Sequence, residues 1–315
     1  MTYICADRGT VRCPCRLMEA GQCYTCTMIR EGRCTCEDAA GWQGVCPYNE
    51  YIQQGRRILD DAAHRMTAFP FLSKTAWSED LFTVKLAASR GFAEECRRPG
   101  AYVMAEALGY RTPVSVLRVN LSDQYSVEFL VKAVGPKSRA LTEDSVMEWR
   151  VAGPYFNGLL NRSDSYPEAA AQGEDVLVIA RGTAAAPLVS MLGHIKCKLY
   201  LDDENLPASF VEEYLQGQVY QRIRLNDETG LAEMRVQLEE KLKERDGSGK
   251  RIILLVSPYF AEKLKAGLSE EEQNRITVPN HGNLCCAMGI CGACSFTDAD
   301  GITVRLCKCS EKVIK

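Results

Sequence analysis

Cys286, Cys291 and Cys294 stand near the C-terminus in C-x4-C-x2-C spacing, and Cys307 follows to complete C-x4-C-x2-C-x12-C. A plant-type [2Fe–2S] cluster takes this three-cysteine loop and a distant fourth thiolate. Two irons need four thiolates, and a tight loop can deliver three while its backbone N–H groups face the sulfurs. Gly289 and Gly292 supply the permissive backbone of such a loop. A four-cysteine zinc knuckle or a disulfide pair would use the same residue type. A zinc ribbon, however, favours two C-x2-C knuckles, and in this stretch only Cys291 and Cys294 have that spacing. The loop therefore points to [2Fe–2S]. Cys285 and Cys309 stand beside proposed ligands, so either could replace Cys286 or Cys307.

Ten of the 16 cysteines lie outside this C-terminal group, and eight of those crowd the N-terminus: Cys5, Cys13, Cys15, Cys23, Cys26, Cys34, Cys36 and Cys46. Residues 1 to 50 have too few large apolar side chains to build much of a core, so bound metal is expected to staple them. Eight thiolates suit two four-cysteine sites, of zinc or of [4Fe–4S]. The ferredoxin run C-x2-C-x2-C-x3-C-P is absent, and spacing alone leaves both metals and the grouping of ligands open. A secreted disulfide scaffold would carry a leader, and the start MTYICADRGT has no apolar core of that kind. A cytoplasmic protein that uses its thiols for metal is the expectation.

The elements that must position these groups follow from composition and period. The chain has 315 residues, 46% of them hydrophobic, with a formal net charge of −3. Such a balance offers nothing to attract nucleic acid or an anionic membrane, and the longest apolar runs have the length of buried strands, not of spans. Residues 51–72 read as a helical connector that ends before Phe69-Pro70. From Ser73 the period becomes two, with strands at 81–86, 101–104, 115–119 and 126–131 and turns between them, which predicts an antiparallel barrel over 73–160. Over 174–280, apolar strands at 176–180, 197–201 and 251–256 alternate with helical stretches at 187–195, 209–216, 229–244 and 259–266. That alternation predicts a parallel sheet in an α/β nucleotide-binding-like domain. Residues 281–315 then form the cluster domain, so the fold class expected is multidomain α+β. His64, His194 and His281 are scattered, and no nucleophile pairing stands out, so no catalytic residue is assigned.

Several short motifs along this order resemble those of ferredoxin-reductase-like iron–sulfur flavoproteins, closest to the electron-transfer subunit of type B dihydroorotate dehydrogenase. The resemblance covers roughly residues 73 to 315. Pro99-Gly100-Ala101-Tyr102-Val103-Met104 is similar to the strand P-G-Q-F-V that leads to the flavin. Arg111-Thr112-Pro113-Val114-Ser115 is similar to the flavin-binding R-x-[YP]-[ST]-[ISV], shifted by Val114. The resemblance implies that Arg111 neutralises the FAD pyrophosphate, that Pro113 lies against the flavin and that Ser115 reaches its edge. Val134-Gly135-Pro136-Lys137-Ser138 resembles V-G-x-G-T, which implies a pyrophosphate cradle at Gly135 and Ser138. Val151-Ala152-Gly153-Pro154 resembles the turn leading out of the barrel.

The α/β domain departs from that pattern. Where the family has G-G-G-x-G-x-x-P, this chain reads Ala180-Arg181-Gly182-Thr183-Ala184-Ala185-Ala186-Pro187, and Gly182 is the surviving glycine. The later C-G-P is replaced by Val256-Ser257-Pro258. Arg181 reads either as a phosphate contact or as a packing residue. The added β-carbons predict slow or absent flavin reduction by NADH or NADPH. The function expected is an electron-transfer subunit that holds FAD and [2Fe–2S] and works with a catalytic subunit bearing its own redox centre, in a hetero-oligomer. The alternatives are a self-sufficient NAD(P)H-dependent reductase and a zinc-stabilised assembly module.

Overall fold

The computed structural model describes residues 2–5, 66–156, 158–160, 176–192, 195–243, 252–280, 284, 294–297, 303–305 and 309–313. Strand β1 (Thr2–Cys5) comes first and pairs antiparallel with the last strand of the chain, Cys309–Val313, with Cys5 opposite Cys309. The first residues of the cysteine-rich stretch are thus joined to the C-terminal segment. Expected metal ligands Cys13, Cys15, Cys23, Cys26, Cys34, Cys36 and Cys46 lie outside the described residues.

Alternating side chains then build a closed barrel. Its strands are β2 (Thr67–Ala76), β3 (Leu81–Ala87), β4 (Tyr102–Ala107), β5 (Tyr110–Asn120), β6 (Ser126–Lys132) and β7 (Glu148–Tyr155), closed in the order β2-β3-β6-β5-β4-β7. Helix α1 (Arg90–Cys96) follows β3, and α2 (Pro136–Thr142) follows β6. Every second residue points inward: Val103 and Ala105 of β4, Val114 and Val116 of β5, Val127 and Phe129 of β6 share one buried core. Trp149 fills that core, and its Nε1–H donates to Leu141 O at 2.9 Å, which satisfies the polar end of a buried indole.

Strand β2 starts at Thr67, two residues before the expected end of the helical connector at Phe69-Pro70. Phe69 and Phe71 obey a period of two: Phe69 packs on Phe92 with centroids 4.6 Å apart, and Phe71 meets Trp149 edge-on. Burying both rings in the barrel outweighs any helical preference. Pro70 falls where the β2–β7 pairing ends, beside a register shift, a place where a strand tolerates a residue without an N–H.

The second layer holds β8 (Leu159–Leu160), β9 (Val176–Arg181), a 3-10 turn (Gly182–Ala185), α3 (Ala186–Met191), β10 (Cys197–Asp202), α4 (Ala208–Leu215) and β11 (Tyr220–Arg222). It continues with α5 (Glu228–Lys243), β12 (Ile252–Leu255), α6 (Pro258–Lys265), α7 (Glu270–Asn274) and β13 (Ile276–Pro279). The sheet order is β11-β10-β9-β12-β13-β8, parallel except where β8 meets β13. Its central strands read as unbroken apolar runs because helices cover both faces, giving one core on each side. A short hairpin, β14 (Ser295–Thr297) with β15 (Thr303–Arg305), and β16 (Cys309–Val313) complete the chain. Among the described residues no helix is long and apolar enough to cross a membrane.

Barrel and sheet share a core: Leu81, Leu117 and Leu130 pack with Val178, Leu188 and Leu201. Trp77, in the turn after β2, lies edge-on to Phe210 and Tyr214 of α4. Tyr214 donates to Glu128 Oε1 at 2.7 Å and carries Arg118 over its ring. Burial in this contact pushes the Tyr214 hydroxyl well above its ordinary pKa. Gly100, at φ +75, lets the two layers touch, since a Cβ there would stand 2.7 Å from Leu159 Cγ.

Candidate functional site

Between the barrel and the C-terminal ends of β9 and β12 lies a cleft of about 570 Å³. That size is within the range of about 300–1,000 Å³ in which proteins hold cofactors. Four of the six residues expected to bind cofactor line it: Pro113, Ser115, Ser138 and Gly182. The period of β5 explains the first two. Val114 and Val116 are spent on the barrel core, so Pro113 and Ser115 face outward into the cleft. Gly182 has φ +55, a left-handed conformation that favours glycine, and a Cβ there would meet nothing within 4 Å, so the turn borders open space.

Gly135 and Ser138 form one turn at the start of α2. The Gly135 N–H donates to Ser138 Oγ at 3.1 Å, and Ser138 Oγ donates back to Gly135 O at 3.2 Å. Ser138 therefore spends its proton on shaping the turn. No Cβ contact would arise within 4 Å at Gly135, so this backbone is also open to an approaching group.

Arg111 does not line the cleft. It shares the outer face of β5 with Pro113 and Ser115, but its Nε and Nη2 donate to Glu106 Oε2 at 3.2 and 2.8 Å. Arg150 donates to the other oxygen, Glu106 Oε1, at 3.0 Å. Register explains the row: Glu106 stands opposite Arg111 on β5 and opposite Arg150 on β7. Two guanidiniums share one carboxylate, which leaves positive charge at the rim of the barrel. The pairing of Glu106 with Arg150 had no local signal, because it depends on which strands become neighbours.

Of the proposed cluster ligands, Cys294 is described and Cys286, Cys291 and Cys307 lie outside the described residues. Cys294 is 3% exposed and packs with Leu284 against Tyr102, Met104, Ala152 and Tyr155 on the outer face of β4 and β7. The rings of Tyr102 and Tyr155 stack at 5.4 Å. Across the β4–β5 ladder Tyr102 stands opposite Ser115 and Met104 opposite Pro113. The strand that meets Cys294 is therefore the neighbour of the strand that walls the cleft, about 4.8 Å away. Among the described residues no three His, Cys, Asp or Glu side chains gather to hold a metal ion.

On the sheet side of the cleft, Arg181 takes the packing role of the two that its sequence left open. Arg181 lines it, but its Nε donates to Asp202 Oδ2 at 2.7 Å and its Nη2 to Glu204 Oε2 at 3.0 Å, with the guanidinium 4.6 Å from the centroid of the Phe260 ring. Asp202 was overlooked in the sequence, although an acidic residue ending the strand after a glycine turn, about 20 residues on, is a signal for such a position.

No protein-family model matches the chain, and no curated protein sequence matches it. Solved structures do. The structure of an NADH-dependent reduced ferredoxin-NADP oxidoreductase, described for flavin-based electron bifurcation, aligns with a TM-score of 0.51 at 19% identity, covering 79% of this chain and 87% of that one. Ferredoxin-NADP+ reductase from Plasmodium falciparum aligns with a TM-score of 0.48 at 12% identity, over 68% of this chain and 95% of that one. Phthalate dioxygenase reductase aligns with a TM-score of 0.48 at 14% identity, over 65% of each chain. The first of these likenesses shows the fold: an antiparallel barrel followed by a mostly parallel sheet covered by helices, as in that ferredoxin-NADP oxidoreductase.

Proposed function

We propose that this chain is an electron-transfer component of a larger oxidoreductase, holding FAD in the cleft and a [2Fe–2S] cluster at Cys286, Cys291, Cys294 and Cys307. One observation carries the reading: Cys294 is packed on the strand next to the one that presents Pro113 and Ser115 to the cleft. Flavin exchanges electrons in pairs or singly and a [2Fe–2S] centre one at a time, so adjacent sites for the two let a protein split or collect electron pairs.

The residues present fit FAD. Pro113 and Ser115 form a flat outer wall, the Gly135 and Gly182 turns leave room for a diphosphate, and the Arg111–Glu106–Arg150 row supplies uncompensated positive charge beside them. Tyr102 and Met104, both at most 1% exposed, exclude water between that wall and Cys294. In this reading the partner is a catalytic subunit with its own redox centre, in a cytoplasmic hetero-oligomer like that of type B dihydroorotate dehydrogenase. The eight N-terminal thiols hold zinc or [4Fe–4S]. Neither nucleic acid nor membrane takes part.

Anaerobic purification with FAD, iron, acid-labile sulfide and zinc measured per chain tests this. FAD with iron and sulfide is the expected result. A colourless chain that holds zinc alone and takes up no FAD would sink the proposal in favour of an assembly module.

A further inference from the structure

The sheet runs β11-β10-β9-β12-β13, and its connections diverge between β9 and β12. In open α/β sheets ligands sit outside the C-terminal strand ends at such a switch point, and dinucleotides use two features there. A small-residue turn lets the diphosphate approach, and a carboxylate ending the next strand, about 20 residues on, takes the ribose hydroxyls. This chain has both places, with Gly182 after β9 and Asp202 at the end of β10.

The Gly182 turn is open, but the Asp202 place is not available to a ligand. Asp202 is 0% exposed, and its Oδ2 accepts from Arg181 Nε at 2.7 Å and from the Leu225 N–H at 2.9 Å, while Oδ1 accepts from the Glu204 N–H at 3.2 Å. Arg181 leaves the turn beside Gly182, crosses the strand ends to Asp202 and Glu204, and lies against Phe260, which itself lines the cleft. Arg222 and Arg224 pair with Asp203 at 2.8 and 2.9 Å. Three arginines thus meet three carboxylates in a closed network. We propose that this network closes the pyridine-nucleotide edge from within, Arg181 being the plug, so that the chain does not bind NAD(H) or NADP(H) there.

The physical reason is competition. To enter, a nucleotide must displace a guanidinium held by two charge-assisted hydrogen bonds and a ring face, and must leave the buried Asp202 carboxylate without its cation. The ribose hydroxyls would meet a carboxylate whose acceptors are already in use. The inference depends on the sheet alone and is independent of flavin.

Isothermal titration of the full chain with NAD+ and with NADP+ decides the matter, in preparations with and without flavin. No saturable binding is expected up to about 1 mM, the upper end of ordinary enzyme–substrate concentrations. The combined variant Arg181→Ala, Asp202→Asn removes the plug without stranding a buried charge, and should gain binding at least about tenfold tighter. Arg181→Gln, which keeps a donor for Asp202, serves if the combined variant fails to fold. Saturable binding by the unaltered chain overturns the inference, as does a folded variant that still binds neither nucleotide. Binding that weakens in Arg181→Gln would make Arg181 a phosphate contact instead.

Discussion

The barrel rim and the sheet wall of the cleft use arginine in opposite ways. On the barrel rim, outside the cleft, Arg111 and Arg150 share the single carboxylate of Glu106, and the two guanidiniums are 34% and 58% exposed. On the sheet wall Arg181, Arg222 and Arg224 face Asp202, Asp203 and Glu204 in equal number, and Arg181 is 17% exposed. A surplus of positive charge attracts an anion, whereas a charge-balanced network anchored on the buried Asp202 holds Arg181 in place and resists exchange. The residue type is the same, and the count of partners decides the role.

The sharpest break comes where the barrel meets Cys294. Cys294→Ser should abolish the reduced-cluster EPR signal while FAD stays bound, because the cleft draws its contacts from β5, α2 and the Gly182 turn. A normal cluster signal in this variant would remove Cys294 from the ligand set. On the sheet wall, Arg181→Ala alone should destabilise the fold by about 3 kcal/mol, as when a buried pair loses one partner. Adding Asp202→Asn should recover most of the loss, read from urea midpoints at constant slope. Equal stability of the single variant and the unaltered chain would mean that the network is slack.

On the barrel rim, Arg111→Ala should weaken FAD by about 1.5–3 kcal/mol, roughly ten- to a hundredfold, if FAD binding draws this arginine from Glu106 into a charge-assisted contact. Glu106→Gln should act the other way, tightening FAD a fewfold and steepening the salt dependence of binding. If both variants leave flavin retention unchanged, the charge surplus has no bearing on the cofactor. The smallest effect concerns the weld between the walls. Burial raises the Tyr214 pKa above its ordinary 10.0, so the unfolded chain ionises first and stability should fall as pH rises past 10. Tyr214→Phe should lose about 1 kcal/mol at neutral pH, where the hydrogen bond to Glu128 is intact, and show a shallower decline above pH 10.

Much of the scaffold was legible before any coordinates. Strands from Leu81 onward announce themselves by alternation, and β9, β10 and β12 by apolar runs, since each pattern reflects which faces are buried. The start of β2 was placed late, at Ser73, because the two-residue period of Phe69 and Phe71 is too short to stand out alone. Helix α1, with its Ser89 cap accepting from the Phe92 N–H, and strand β7 escaped notice because each lies between stronger patterns.

The sequence by itself determined where the cleft-lining turn and strand fall. Gly182 marks a left-handed turn, and Pro113 and Ser115 alternate with the valines of the core, because backbone sterics and a period of two act over a few neighbouring residues. Only the tertiary structure decided what the arginines do. Arg111 reads alike whether it faces an anion or Glu106, and Arg181 reads alike whether it is a phosphate contact or a plug. Charge pairing acts through space: strand order brought Arg150 to Glu106, and the parallel register of β9 and β10 brought Asp202 beside Arg181.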